Sequence, residues 1–193
     1  MKIVKGFFLV ACVIFMTGCA WLPWGKHGSA NAPQKTEDAD APLKVQRIVE
    51  ADLLKDGENI LIAPFTAGED VRATEEMDKD ALMLVRGVYD ELQEKKSWFK
   101  IITAETVEKS DFLIEGHITK ISEPSWFARF ILRKKKKTFG VEGKMTDLNT
   151  GRIIFSFEDE VSSGKKGTTY LDLSHLIGVR LARFILSAVQ TIQ

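Results

Sequence analysis

Two long amphipathic stripes bracket a series of apolar strand-like runs, and they restrict the fold more than any other feature of this chain. Met77, Ala81, Leu84, Val85, Val88 and Leu92 recur at helical spacing, which predicts a helix over 74–96. Leu173, Leu176, Ile177, Leu181, Phe184, Ile185, Ala188 and Ile192 form a second stripe, which predicts a helix over 171–191. Glu75, Glu76 and Asp78 near the start of the first helix, and Lys95 and Lys96 near its end, suit the helix dipole. Arg180 and Arg183 are expected at the border of the second stripe or outside it. Each helix has one apolar face that must be covered.

The segments between them supply the cover. Ile60 to Phe65 is a continuous apolar run and reads as a buried strand. Pro64 has no N–H to donate, so that strand should end near it. Phe99 to Ile102 is a short strand. Asp111 to Ile121 and Phe139 to Met145 alternate with period two. Asp147-Leu148-Asn149-Thr150-Gly151 is a turn in which Gly151 is free to take positive φ. Arg152 to Glu158 returns as the other arm of a hairpin. Residues 45–57 fit either a lead-in strand or a short helix. The fold class is therefore α/β (α+β): one mixed sheet of about five strands packed by two amphipathic helices, in the order strand, helix, strand, strand, hairpin, helix.

The N-terminus has a different character. Lys2 and Lys5 precede an apolar run from Gly6 to Phe15, and small residues then lead to Cys19. The run is shorter than the roughly 20 apolar residues of a membrane-spanning helix and has the length of a signal-peptide core. Phe15-Met16-Thr17-Gly18-Cys19 resembles the lipobox of bacterial lipoproteins, with Met16 in place of the usual leucine. The resemblance implies cleavage after residue 18, a thioether from Cys19 to a diacylglyceryl group, and acylation of the new amine by a fatty acid such as palmitate. Each buried methylene contributes about 0.8 kcal/mol, so two or more chains anchor stably where one does not. Ala20 after the cysteine, by resemblance to enterobacterial sorting, favours the outer membrane, with the domain facing the periplasm.

Residues 19–44 read as a lipidated tether, punctuated by Pro23, Gly25, Gly28, Pro33 and Pro42. Trp21, Leu22 and Trp24 stand out in it; they read either as rings at the headgroup level or as a short apolar remnant. The expected organisation is a signal peptide over 1–18, the tether over 19–44 and a single domain over 45–193.

The whole chain carries 27 basic and 27 acidic residues. Removal of 1–18 takes Lys2 and Lys5 and no acid, which leaves 25 against 27 and a net charge of −2. Nucleic-acid binding needs a basic footprint that this balance does not supply. Of the two cysteines, Cys12 lies in the leader and Cys19 takes the lipid. No disulfide is expected, so stability must come from packing.

Chemistry-bearing residues are sparse. Trp126, Phe127, Arg129, Arg133, Lys134, Lys135, Lys136 and Lys137 run from bulky apolar residues into a basic cluster. They read as a membrane or partner contact, where each basic residue near an anionic surface contributes about 1 kcal/mol. The competing reading is a packed segment whose lysines guard an edge strand. His117 shares its strand face with Glu115 and Thr119. His27 and His175 are remote in sequence, so no metal ligand set forms by spacing. Glu158-Asp159-Glu160 reads as a solvated run. Ser162 to Gly167 lacks the residue order of a phosphate loop. No catalytic residue, cofactor or metal is assigned.

The lipobox, Ile60-Leu61-Ile62-Ala63-Pro64-Phe65, Ser110 to Ile118 and Asp147 to Ile154 together resemble a broad group of bacterial envelope lipoproteins. That group is similar in pattern to the periplasmic domains of the curli-secretion lipoprotein and the penicillin-binding-protein activator lipoproteins. The resemblance covers about residues 58–190 and implies an α/β domain without a catalytic site. The expectation is a membrane-anchored, non-enzymatic interaction or assembly module whose partners are the bilayer, through acylated Cys19, and other envelope proteins. The alternative is a lipoprotein binder or hydrolase acting on lipid or peptidoglycan, for which Glu115 and Glu142 would have to converge across strands. The anchor has a direct test. Radiolabelled palmitate should enter the protein in growing cells, and Cys19→Ser should abolish the label and release the protein from the membrane fraction.

Overall fold

The computed structural model describes residues 40–55, 59–95, 99–102, 109–122, 136–165 and 167–190. Among these residues seven strands form one sheet: β1 (Val45–Ile48), β2 (Asn59–Ile62), β3 (Thr66–Ala67), β4 (Lys100–Ile102), β5 (Phe112–Ser122), β6 (Lys137–Asp147) and β7 (Ile153–Ser163). The order is β1-β7-β6-β5-β2-β4, with β3 also paired to β5. β2 runs parallel to β4 and β5, and β3 is parallel to β5. The pairings β1–β7, β5–β6 and β6–β7 are antiparallel. Helices α1 (Glu75–Glu94) and α2 (Tyr170–Gln190) pack together. The outcome is the expected mixed α/β architecture, with two strands more than the periodicity alone resolves.

Those two strands have physical origins. The ambiguous 45–57 segment contains both elements it suggested, β1 and then a 3-10 turn at Ala51–Lys55. The run from Ile60 to Phe65 is split. Ala63 N–H donates to Ile114 O at 2.9 Å, Pro64 has no N–H, and pairing with β5 resumes at Thr66. The interruption turns the Phe65 ring into the core, where it is 2% exposed.

Local sequence supports each helix start. The Thr74 hydroxyl accepts from Met77 N–H at 3.2 Å, a cap that contributes about 1 kcal/mol. At α2, Thr169 and Asp172 cap each other. Asp172 N–H donates to Thr169 Oγ1, and Thr169 N–H donates to Asp172 Oδ2 at 2.7 Å. The hairpin turn is held the same way. Asp147 accepts from the backbone N–H of Asn149 and Thr150 and from the Thr150 hydroxyl, and Gly151 has φ 72°. Asp111 joins the starts of β5 and β2 through both Asn59 N–H and Asn59 Nδ2.

The core lies between the helices and one face of the sheet. Phe112, Ile114 and Ile118 of β5, Phe139, Val141 and Met145 of β6, and Phe155 and Phe157 of β7 meet Leu84, Val88, Ile177, Leu181 and Ile185 of the helices. Phe155 stands edge-on to Phe184 of α2 at 5.0 Å. On the sheet, Gly116 and Gly143 are register partners. A Cβ on Gly116 would stand 2.6 Å from Phe65 Cε1, and one on Gly143 would stand 2.7 Å from Phe157 Cζ. The paired glycines form a notch for the two rings, whose centroids are 6.2 Å apart.

The helices meet just as tightly. A Cβ on Gly87 would lie 2.2 Å from His175 O, and one on Gly178 would lie 2.1 Å from Leu84 O. The backbones therefore touch at this crossing, and a larger residue must drive them apart. Gly178→Val should lower stability by about 1–3 kcal/mol or more, read as a fall in melting temperature by circular dichroism. The exposed-site control Leu82→Val should leave it nearly unchanged.

Candidate functional site

The helices cover only one face of the sheet. On the other face the described residues form a groove with a volume of about 700 Å³. Its lining comes from five strands and the β2–β3 interruption. β1 contributes Arg47, β7 contributes Ser156 and Glu158, β6 contributes Glu142 and Lys144, and β5 contributes Glu115 and His117. Ala63, Pro64 and Thr66 form one wall, and the paired glycines and Phe157 belong to the floor.

Strand register arranges the polar residues in two rows. Glu115 is opposite Lys144, Lys144 opposite Ser156, and Ser156 opposite Arg47. In the next row His117 is opposite Glu142, and Glu142 is opposite Glu158. Lys144 Nζ is 3.2 Å from Glu115 Oε1, and Lys44 Nζ is 3.6 Å from Glu158. His117 Nδ1 lies 2.7 Å from the Thr66 hydroxyl. Beyond the groove, Glu160 is held by Lys120 at 3.1 Å. These pairs are solvent-exposed, so each contributes 1 kcal/mol or less. They fix side-chain direction more than they stabilise the fold.

Glu115 and Glu142 do share this face, as their period-two spacing implies. They do not converge: Glu115 turns to Lys144, and Glu142 faces His117 and Glu158. His117 is an exposed strand residue, as expected. Among the described residues no group of three or more His, Cys, Asp or Glu side chains is arranged to hold a metal ion. The sequence does not single out Arg47, Lys144 and Ser156, and it reads Glu158 only as part of a solvated acidic run. Lys144 and Ser156 carry the alternation signal of their strands, but Arg47 lies in the segment whose type the sequence leaves open.

Of the basic segment, Trp126, Phe127, Arg129, Arg133, Lys134 and Lys135 lie outside the described residues, as does Cys19. Lys136 is exposed. Lys137 opens β6, which is an inner strand and not an edge, so it guards no edge. Its ammonium sits 5.0 Å over the Tyr170 ring.

Two ionic contacts lie on the helix side. Arg180 is 9% and Asp159 1% exposed, and Arg180 Nη1 donates to Asp159 Oδ2 at 3.1 Å. Arg180 is thus buried, where the helical stripe had placed it at a border, and Asp159 is not part of a solvated acidic run. Each is tolerated inside because the other neutralises it. Arg183 donates to Glu91 of α1 at 2.7 Å and also pairs with Asp40. The hydrogen bond to Glu91 raises the Arg183 pKa, against the opposing effect of burial. Leu43 is buried as well, so the described end of the expected tether packs on the domain.

No protein-family model matches the chain. No curated protein matches it in sequence. In structure it is similar to the PelC dodecamer from Paraburkholderia phytofirmans, with 10% identity and a TM-score of 0.52 over 72% of this chain and 96% of that one. It is also similar to lipoprotein GNA1162 from Neisseria meningitidis, with 12% identity and a TM-score of 0.42 over 69% and 99% of the two chains. Protein XCC0632 from Xanthomonas campestris matches at 12% identity and a TM-score of 0.45, over 79% and 93%. The PelC likeness shows a shared fold, a two-layer domain with both helices on one side of the sheet. Bacterial lipoproteins are among the structural neighbours. No helix among the described residues is long and apolar enough to cross a membrane.

One buried acid bears on stability. Asp80 of α1 is 5% exposed. Its pKa is pushed up from 3.8 to about 6, first by burial and then by Glu76, with Lys137 pulling it down. The folded state therefore holds this proton more tightly than the unfolded chain, and stability falls as pH rises from about 4 to 6. Above that window the wild type carries the whole penalty. Asp80→Asn should be the more stable protein at pH 7.5, by on the order of 1–3 kcal/mol. Denaturant titrations should show the gap closing below pH 4.

Proposed function

We propose that this chain is a lipid-anchored, non-enzymatic interaction or assembly module of the bacterial cell envelope. Cys19 is its acylation site, and the outer membrane, facing the periplasm, is its location. The observation that carries the reading is the sheet face that no described helix covers. Its charged side chains stand in cross-strand rows, with Glu115 tied to Lys144 and Glu158 to Lys44, as on a surface that meets another surface. The lipobox supports the anchor. The fold shared with PelC, a protein crystallised as a dodecamer, supports a role in assembly. The sequence pattern similar to the curli-secretion and penicillin-binding-protein activator lipoproteins supports it further. The bilayer, through acylated Cys19, and envelope proteins are the proposed partners.

The groove volume favours one second reading, a binder or hydrolase acting on lipid or peptidoglycan. About 700 Å³ lies within the range of small-molecule pockets. In-cell crosslinking of the tagged, lipidated protein separates the two. Discrete envelope proteins are expected in the crosslinks. Glycan or lipid adducts without any protein partner would replace the first reading by the second. A Lys134–Lys137 neutralised variant, run beside it, tests the basic segment: loss of the crosslinked proteins would assign the contact there.

A further inference from the structure

Within the two rows of the groove face, charge is not evenly spent. Glu115 has Lys144 and Glu158 has Lys44. Arg47 and Glu142 line the same groove and make no ion pair with any described residue. The row of Lys144, Ser156 and Arg47 holds two cations. The adjacent row of Glu142 and Glu158 holds two carboxylates that oppose each other directly across β6 and β7. Like charges directly opposite on a sheet are unfavourable unless something comes between or above them. The rows are two residues apart along each strand, which is about 7 Å.

That spacing matches another extended chain. Residues i and i+2 of a strand project from the same side, also about 7 Å apart. A segment lying along the strands sets one side chain above the cationic row and its next same-side neighbour above the acidic row. We propose that this groove docks an extended segment of a partner protein in which an acidic residue stands two positions from a basic one. The acid meets Arg47 and the base meets Glu142 and Glu158. Ala63 and Pro64 supply the apolar contact beside the charges. A neutral glycan would leave both rows without partners. An anionic headgroup would satisfy Arg47 but meet the carboxylates. This deepens the interaction-module reading and rests on it.

The test uses the full-length lipidated protein in detergent micelles and three fluorescent, end-blocked decapeptides on one Gly/Ser/Thr frame. The first carries Asp-x-Lys, the second Lys-x-Lys and the third Asp-x-Asp. By anisotropy the first peptide should bind most tightly. Arg47→Ala and Glu142→Ala should each weaken it about fivefold, and salt at 0.5 M should weaken it further. Both side chains are exposed, so the variants should melt like the wild type. Equal affinity for all three peptides, or unchanged binding in both variants, overturns the proposal. So does displacement of the Asp-x-Lys peptide by soluble peptidoglycan fragments at lower concentration. The in-cell crosslinks keep the two readings apart. If envelope proteins still crosslink to the Arg47→Ala/Glu142→Ala double variant as to the wild type, the groove proposal falls and the module reading stands.

Discussion

At Gly87 and Gly178 the two helices touch backbone to backbone, and the α layer is arranged around that contact. Close approach lets α1 and α2 act as one plate over the inner face of the sheet. On either side of it the core fills with Leu84, Val88, Ile177 and Leu181, each with no exposed area. A helix pair held further apart would leave voids over Phe155 and Met145, and such voids weaken a core in proportion to their volume. The sheet makes a matching adjustment. Gly116 and Gly143 remove two side chains so that Phe65 and Phe157 can lie against the strands. Small residues thus set the spacing within both layers, and large ones fill what remains.

Ionic contacts then tie the layers in specific places. Arg180 on α2 reaches Asp159 on β7, and Arg183 on α2 joins Glu91 on α1 to Asp40 ahead of β1. A buried pair adds little net stability against a well-packed apolar equivalent, because desolvation opposes the attraction. Removing one partner is costly, since the other charge is left inside. Such pairs therefore favour one orientation of α2 over the sheet more than they add to overall stability. Asp80 is the exception: burial disfavours its charge, and Lys137 only partly offsets this.

Both described helices lie on one face, so no described helix covers the other face of the sheet. Its side chains are polar by alternation, and strand register turns that alternation into ordered rows. The groove follows from this arrangement and from the β2–β3 interruption at Pro64, which raises a wall beside His117. What distinguishes this face from an ordinary solvated sheet is the order of its charges across β1, β7, β6 and β5. That order is a property of pairing and not of any single strand.

Local periodicity determined both helices, the long strands and the Asp147–Gly151 turn, because each rests on neighbours within a few residues. The helix ends agree with the sequence limits to within about two residues. The lipobox-like stretch Phe15-Met16-Thr17-Gly18-Cys19 is likewise a local pattern that needs no fold to be read. Helical spacing also marked most of the core, from Met77 to Leu92 and from Leu173 to Ala188. It misjudged Arg180 and Asp159, since an arginine on a stripe border is buried only if a carboxylate awaits it, and that carboxylate is 21 positions away. The Gly87–Gly178 crossing and the Gly116–Gly143 notch were equally out of reach, because their meaning lies in what a Cβ would strike. The two-row charge pattern needed the register of four strands, one of them in a segment that local preference left undecided. Tertiary structure alone brought Arg47, Glu142 and Glu158 to one face, because long-range pairing chooses which local alternations face each other.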